Sequence, residues 1–214
     1  MPKSQKKSEV DSRIMEIKRQ QTLVLIKPDG VQRGLIGDVI GRFEKAGLKL
    51  VGMKMVWPSK EILEKHYTND VAYLTALGEK AKAGMEKNGL SDSRTPIQIG
   101  QWIRNQLGRY LAIGPVVAMV WQGTHAISNV RQLVGSTNPI SADVGSIRGD
   151  LTIDTIEMAN MEGRSVRNLI HASSEPDEAK REIALWFTKA EIYDYENVMD
   201  KVLHDAEWDT PKKK

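Results

Sequence analysis

The 214-residue chain contains no cysteine. That excludes disulfides, thiol catalysis and thiolate metal sites, and it fits a reducing cytoplasm, the compartment expected here. No apolar run approaches the length of a membrane span. The opening stretch, MPKSQKKSEVDSRIMEIKRQQ, has no apolar h-region, which argues against a secretory signal. A GxxxxGK[ST] loop is missing as well, so phosphates are not held in the P-loop manner. No cluster of His, Asp and Glu has the spacing of metal ligands, and no internal repeat is visible.

The formal net charge is +3. Lys3, Lys6, Lys7, Arg13, Lys18 and Arg19 outweigh Glu9, Asp11 and Glu16 at the start of the chain. Lys212, Lys213 and Lys214 balance Asp205, Glu207 and Asp209 at the other end. The body between is therefore neutral, and the excess charge sits on a tail. Such a distribution argues against a dedicated nucleic-acid surface and gives no sign of a membrane partner.

Hydrophobic residues make up 40% of the chain, enough for a core. Apolar, β-branched runs at 22–26, 48–57 and 116–121, and around 166–172, read as strands. Helical patterns lie between them at 35–47, 59–67, 124–135 and 173–187, with Ser59 and Thr124 placed to cap two of these. The order predicts an α/β (α+β) ferredoxin-like βαββαβ sandwich, an antiparallel sheet with helices on one face. Residues 1–20 read as a flexible basic extension and 206–214 as a polar tail, flanking a domain at 21–205. Two stretches exceed a minimal version of that fold. One is a helical insertion at 68–100, rich in Ala, Leu, Glu and Lys and broken by Gly84 and Gly89. The other is a lengthened loop at 151–165.

His171 is the residue most suited to chemistry. Histidine changes charge near neutral pH and serves as nucleophile or proton carrier. Ser173 follows two residues on, and Glu182 lies eleven on within a helical pattern that can fold back over the strand. Elsewhere, TLVLIKPDGVQRGLIG sets Lys27 at the end of an apolar strand, before a Gly-containing entry to a helix. GSTNPISADVGSIRGD carries Thr137 and Arg148, with Arg131 just ahead of it, and Asn168 precedes the histidine in NLIHAS. A histidine phosphatase would array a second histidine and an arginine about the first. His66, His125 and His204 sit in no such motif.

In order and spacing these segments resemble the nucleoside diphosphate kinase family, over roughly residues 21–66 and 107–195. The resemblance implies the same sandwich fold and a ping-pong transfer of a γ-phosphoryl group from a nucleoside triphosphate to a diphosphate. His171 would be the phosphorylated nucleophile, oriented by Glu182 and Ser173. Lys27, Arg131 and Arg148 would surround the phosphates. Thr137 would donate a hydroxyl to them, Asn168 would bind the sugar, and Tyr67 would lie beside the histidine. Family members usually stack the base on an aromatic residue of the helix before a Gly-Pro turn, with an apolar residue four positions further on. Here Leu107 takes the apolar place and Ile103 the aromatic one, with Trp102 next to it. Either Ile103 forms an aliphatic lid or Trp102 stacks after a shift in register, the latter slightly favoured. Mg²⁺ would arrive on the nucleotide phosphates, with no protein ligands of its own. The family's usual Gly-Ser-Asp-Ser after the histidine is Ala172-Ser173-Ser174-Glu175 here, which removes the Asp that could reach the metal through water. Ser174 or Glu175 could stand in. The family also implies a homo-oligomer built from dimers, with the inserted segments near a subunit contact. The competing reading is an idle nucleotide-binding or assembly protein on the same fold.

Overall fold

The computed structural model describes residues 3–87, 89–205, 207, 208 and 210, the first seven of these as backbone only. Most of the expected C-terminal tail lies outside them. In chain order the helices are Lys3–Lys18 (α1), Pro28–Gln32 (α2), Ile36–Lys45 (α3), Lys60–His66 (α4), Val71–Lys87 (α5), Pro96–Ala112 (α6), Ala126–Val134 (α7), Ile147–Leu151 (α8), Ile156–Met161 (α9), Pro176–Trp186 (α10) and Val198–His204 (α11). The strands are Gln20–Ile26 (β1), Lys49–Val56 (β2), Val116–Gly123 (β3) and Ile170–Ala172 (β4).

β1 explains the architecture. Its residues Leu23 to Ile26 are wholly buried without alternation, so both faces of the sheet must be covered. The strand order is β2-β3-β1-β4, and every neighbouring pair is antiparallel, as in the ferredoxin-like fold. Val24 and Ile26 pack with Val39 and Phe43 of α3 and Val130 and Val134 of α7. Leu23 and Leu25 pack on the opposite face with Tyr67, Leu111 and Trp186. Helices on one face only, the expectation from element order, is thus corrected. Each such side chain contributes about 1.5–3 kcal/mol by leaving water.

Other boundaries moved for local reasons. Residues 1–20, expected to be flexible, are helical from Lys3 to Lys18. The end of that helix is tied down where Ile17 O accepts from His125 N at 3.2 Å and Arg19 meets Asp194 at 3.0 Å. Thr124 does not cap α7. His125 takes the N-cap position in the left-handed region (φ 49°), and Thr124 instead accepts from Asn129 Nδ2 through its carbonyl at 2.7 Å. Ser59 does cap α4, accepting from Ile62 N at 3.3 Å. Gly84 interrupts nothing, since α5 runs through it and only Gly89 (φ 72°) follows in a left-handed turn.

α5 and α6 form an antiparallel hairpin in backbone contact. A Cβ on Gly78 would fall 1.7 Å from Pro96 O, and one on Gly100 would fall 1.9 Å from Leu74 O. Those atoms are main chain and cannot step aside. Gly100→Ala is therefore expected to cost about 3 kcal/mol of stability, the upper end for overpacking. Thermal unfolding beside the exposed control Gly84→Ala checks this, since Gly84 has open space for a Cβ. Equal melting temperatures would contradict the packing.

Candidate active site

β4 is short because of what precedes it. Leu169 is held at φ 68°, and Ile170 N donates to Asn168 O at 2.7 Å, a tight γ-turn that an L-residue adopts only under constraint. The constraint is visible. Lys27 N donates to Leu169 O at 2.8 Å, and the Arg148 guanidinium donates to the carbonyls of Asn168 (3.2 Å), Ile170 (2.7 Å) and Gly135 (2.9 Å). This knot delivers His171 into register with Leu25 on β1.

His171 is half-buried, with Nε2 2.9 Å from Glu182 Oε2. Ser173, fully buried, donates its hydroxyl to the same oxygen at 2.7 Å. Glu182 reaches them because α10, opened by Pro176 and the acids Asp177 and Glu178, folds back against β1. Burial alone would raise the Glu182 carboxyl. The charge and hydrogen bond of His171, with His66 and Ser173 adding to them, outweigh burial and keep it ionised well below the usual carboxylate range. His66, from the last turn of α4, stands on the other side, its Nδ1 3.3 Å from Glu182 Oε1 and its ring 4.8 Å from that of His171. Burial, then repulsion from His171, drives His66 far below the ordinary imidazole value, so it is neutral at pH 7. Tyr67 is buried edge-on against His66, ring centroids 4.7 Å apart, and burial raises its phenol.

Cations gather beside this group. Lys27, 5% exposed, donates to Asn168 Oδ1 at 2.7 Å, and Asn168 Nδ2 donates to Thr137 O at 2.9 Å. Burial and then Arg148 lower Lys27 from 10.5 to about 7. Arg148, 3% exposed, falls to about 10 through burial and the charge of Arg131, which lies half-buried on α7. Thr137 itself is exposed. Lys27 also stands 5.2 Å over the ring of Tyr110, whose other cationic neighbour is Arg167 at 4.5 Å and whose hydroxyl donates to Asp29.

The structure thus gathers Lys27, Thr137, Arg148 and Asn168 in one network, and His171, Ser173, Glu182 and Tyr67 in another. The two share the β1–β4 edge. The three α6 residues divide. Trp102 lies under Arg94, 5.0 Å from its ring, and Asp92 grips that arginine at 2.6 Å. Ile103 and Leu107 are half-buried and share a helical stripe with Tyr110. Sequence reasoning passed over His66, Tyr110, Asp29 and Arg167. His66 had been set aside because no motif surrounds it, and its closeness to His171 arises only when α4 and α10 pack together.

A nucleoside diphosphate kinase family model matches residues 20–74 and 100–192. The chain belongs to the nucleoside diphosphate kinase family. It is 45% identical over 179 residues to a nucleoside diphosphate kinase of Pyrobaculum aerophilum, covering 81% of this chain and 97% of that protein. A crystal structure of an NDP kinase from the same organism superposes with a TM-score of 0.79 at 43% identity, covering 82% of this chain and all of the other. The Borrelia burgdorferi nucleoside-diphosphate kinase, solved as a transition-state mimic with vanadate and ADP, gives 0.71 at 34% identity, covering 87% and 97%. Family membership makes this chain a phosphotransferase acting on nucleotides. The family match omits residues 75–99, most of α5 and the turn into α6. Among the described residues no helix is long and apolar enough to cross a membrane.

Proposed function

We propose that His171 carries the phosphoryl group between two nucleotides. The observation that bears this reading is the single Glu182 oxygen shared by His171 Nε2 and the Ser173 hydroxyl. With Nε2–H donating to an ionised carboxylate, the lone pair is left on Nδ1, and the ring is fixed in orientation. In the first half-reaction Nδ1 bonds to the γ-phosphorus, the bond to the bridging oxygen breaks, and the diphosphate leaves with that electron pair. In the second, a terminal oxygen of another diphosphate takes the phosphoryl group and the P–N pair returns to Nδ1.

Lys27 and Arg131 would neutralise phosphate charge. Arg148 would share that task, since its carbonyl bonds leave two of the five guanidinium N–H groups for oxygen. Thr137 would offer its exposed hydroxyl. Asn168, with one amide hydrogen still available, would meet the sugar. Ile103 with Leu107 forms the apolar pad for the base, since their stripe leads to Tyr110 beside Lys27, whereas Trp102 is engaged by Arg94. Lys27, Arg131 and Arg148 would hold phosphate oxygens and leave Mg²⁺ to those oxygens. The ion would supply charge neutralisation there. Ser174 is already bound through N and Oγ to Glu178 at 2.6 Å, so Glu175 and Glu178 are the carboxylates in that turn. A cytoplasmic homo-oligomer is part of the same reading. The edge strand β2 exposes Met53 and Met55, and Trp57 just beyond its end extends them into an apolar seam suited to a second copy.

Radioactive ATP is expected to leave an acid-labile, alkali-stable label that a nucleoside diphosphate discharges. A protein that binds nucleotide without taking up label would instead be the idle form of this fold. A pH signature follows from Lys27. In the free protein it is cationic below about pH 7 and neutral above, so nucleotide KM is expected to climb as pH rises through that value. Lys27→Arg, charged throughout, should flatten the climb. Parallel KM profiles for the two proteins would remove Lys27 from phosphate binding.

A further inference from the structure

Phosphoryl transfer as described above leaves His66 unused, although it is 4% exposed and lies at the heart of the site. Its polar groups do not balance. Nδ1 lies 3.3 Å from the indole nitrogen of Trp186 and 3.3 Å from Glu182 Oε1, while Nε2 is buried with no partner among the described residues. If Nδ1 accepts the indole N–H, it faces the carboxylate lone pair to lone pair. If Nδ1–H donates to the carboxylate, the indole N–H and the Nε2 lone pair are both left bare. Neither tautomer satisfies every group, and each unsatisfied one is costly in a buried setting. In the Nε2–H tautomer, a positive ion between Nδ1 and Oε1 would turn the facing lone pairs into two bonds, replacing the hydrogen bond from the indole.

The surroundings define which ion. One donor atom each from His66, His171 and Glu182 lies within 4.8 Å of the others. Two imidazoles and a carboxylate are the donor set of open zinc sites, whereas Mg²⁺ prefers oxygen alone. Ligand atoms around a tetrahedral zinc, at about 2.0–2.1 Å from the metal, lie about 3.3 Å from one another. The His66–Glu182 separation already has that value, and His171 Nε2, 2.9 Å from the other Glu182 oxygen, supplies the third side. That ring's exposed edge leaves the fourth position to water. Ser173, donating to Glu182 Oε2, fixes the carboxylate as outer-shell partners of metal ligands do.

We propose that His66, Glu182 and His171 form a binding site for a divalent cation of the zinc class, distinct in chemistry from the Mg²⁺ carried by nucleotide. An ion on His171 Nε2 leaves the ring proton on Nδ1, so a metal-bound ring cannot take up the phosphoryl group: this is a one-way exclusion. The exclusion rests on the reading of His171 as phosphoryl carrier; the binding itself does not.

Tag-free protein without nucleotide is titrated with Zn²⁺ alone, following stoichiometry by calorimetry and the imidazole signals of His66 and His171 by NMR. One equivalent is expected, shifting both rings and leaving His125 and His204 in place. Co²⁺ should give the intense visible bands of a tetrahedral centre. His66→Gln should weaken binding by about tenfold or more. Should that variant not fold, the wild-type NMR and Co²⁺ spectra decide. Zn²⁺ should inhibit exchange by the wild type, and chelation should reverse the inhibition. Unmoved His66 and His171 signals at saturating Zn²⁺, or undiminished affinity in folded His66→Gln, would overturn the proposal. Zinc binding in a protein that takes no phosphoryl label would leave the site standing and defeat the catalytic reading instead. Label uptake with no zinc bound would do the reverse.

Discussion

His171→Ala is expected to reduce phosphoryl exchange to background while leaving the fold in place. The side chain keeps some access to solvent, 19% exposed, and its one polar bond is to a carboxylate that keeps Ser173 as a second donor. Truncation would therefore remove the proposed nucleophile without opening a large cavity in the core. Loss of a covalent carrier has no local substitute, because a direct transfer between two bound nucleotides would need both in the site at once. Label uptake and exchange should vanish together, with circular dichroism and melting close to wild type. Residual exchange well above background would mean that another group accepts the phosphoryl. Ser173→Ala makes a useful contrast. It should keep exchange, slowed, because the hydroxyl only steadies Glu182.

Arg148→Ala is expected to strike both stability and turnover. The guanidinium holds three backbone carbonyls, of Gly135, Asn168 and Ile170, at 2.7–3.2 Å, and it is 3% exposed. Removing it strands those acceptors in a buried setting and frees the γ-turn at Leu169. Leaving a buried acceptor unsatisfied typically costs about 1–3 kcal/mol, so stranding three carbonyls is expected to cost several kcal/mol. The same change removes a donor from the phosphate site, typically worth about 3 kcal/mol of barrier. Arg148→Lys separates the two effects. An ammonium keeps the charge but cannot span three carbonyls, so it should recover part of the turnover and little of the stability. Chemical denaturation and steady-state kinetics on both variants check this. A melting temperature unchanged in Arg148→Ala would refute the clamp.

The sheet and the residues that the fold gathers around β1 and β4 were legible because their signals are local. An unbroken apolar run marks a strand buried on two faces, and Lys27, Arg148, Asn168 and His171 lie in short motifs with fixed spacing. Two kinds of feature were not. Coverage of the second sheet face depends on where α4, α6 and α10 dock, which no period in the sequence encodes. His66 and Tyr110 matter through neighbours far away in the chain, Glu182 for one and Asp29 and Arg167 for the other. The alternative between Trp102 and Ile103 stays open in the sequence for a related reason. Helical rotation puts them on different faces, and only Arg94, eight residues earlier, shows which face is already taken. The short β4 was hidden too, since nothing in VRNLIHA announces a left-handed leucine.

The glycine contact between α5 and α6 has a thermodynamic reading. α5 supplies none of the side chains expected at the phosphate or base, yet through Gly78 and Gly100 it lies flush against the helix that carries Ile103, Leu107 and Tyr110. A helix flanking an open pocket would otherwise sample many tilts, and a nucleotide would have to select one of them at the cost of part of its affinity. With a second rod fused along its length, α6 would meet the proposed ligand already set. The added chain thus acts by subtraction, removing conformational freedom before binding.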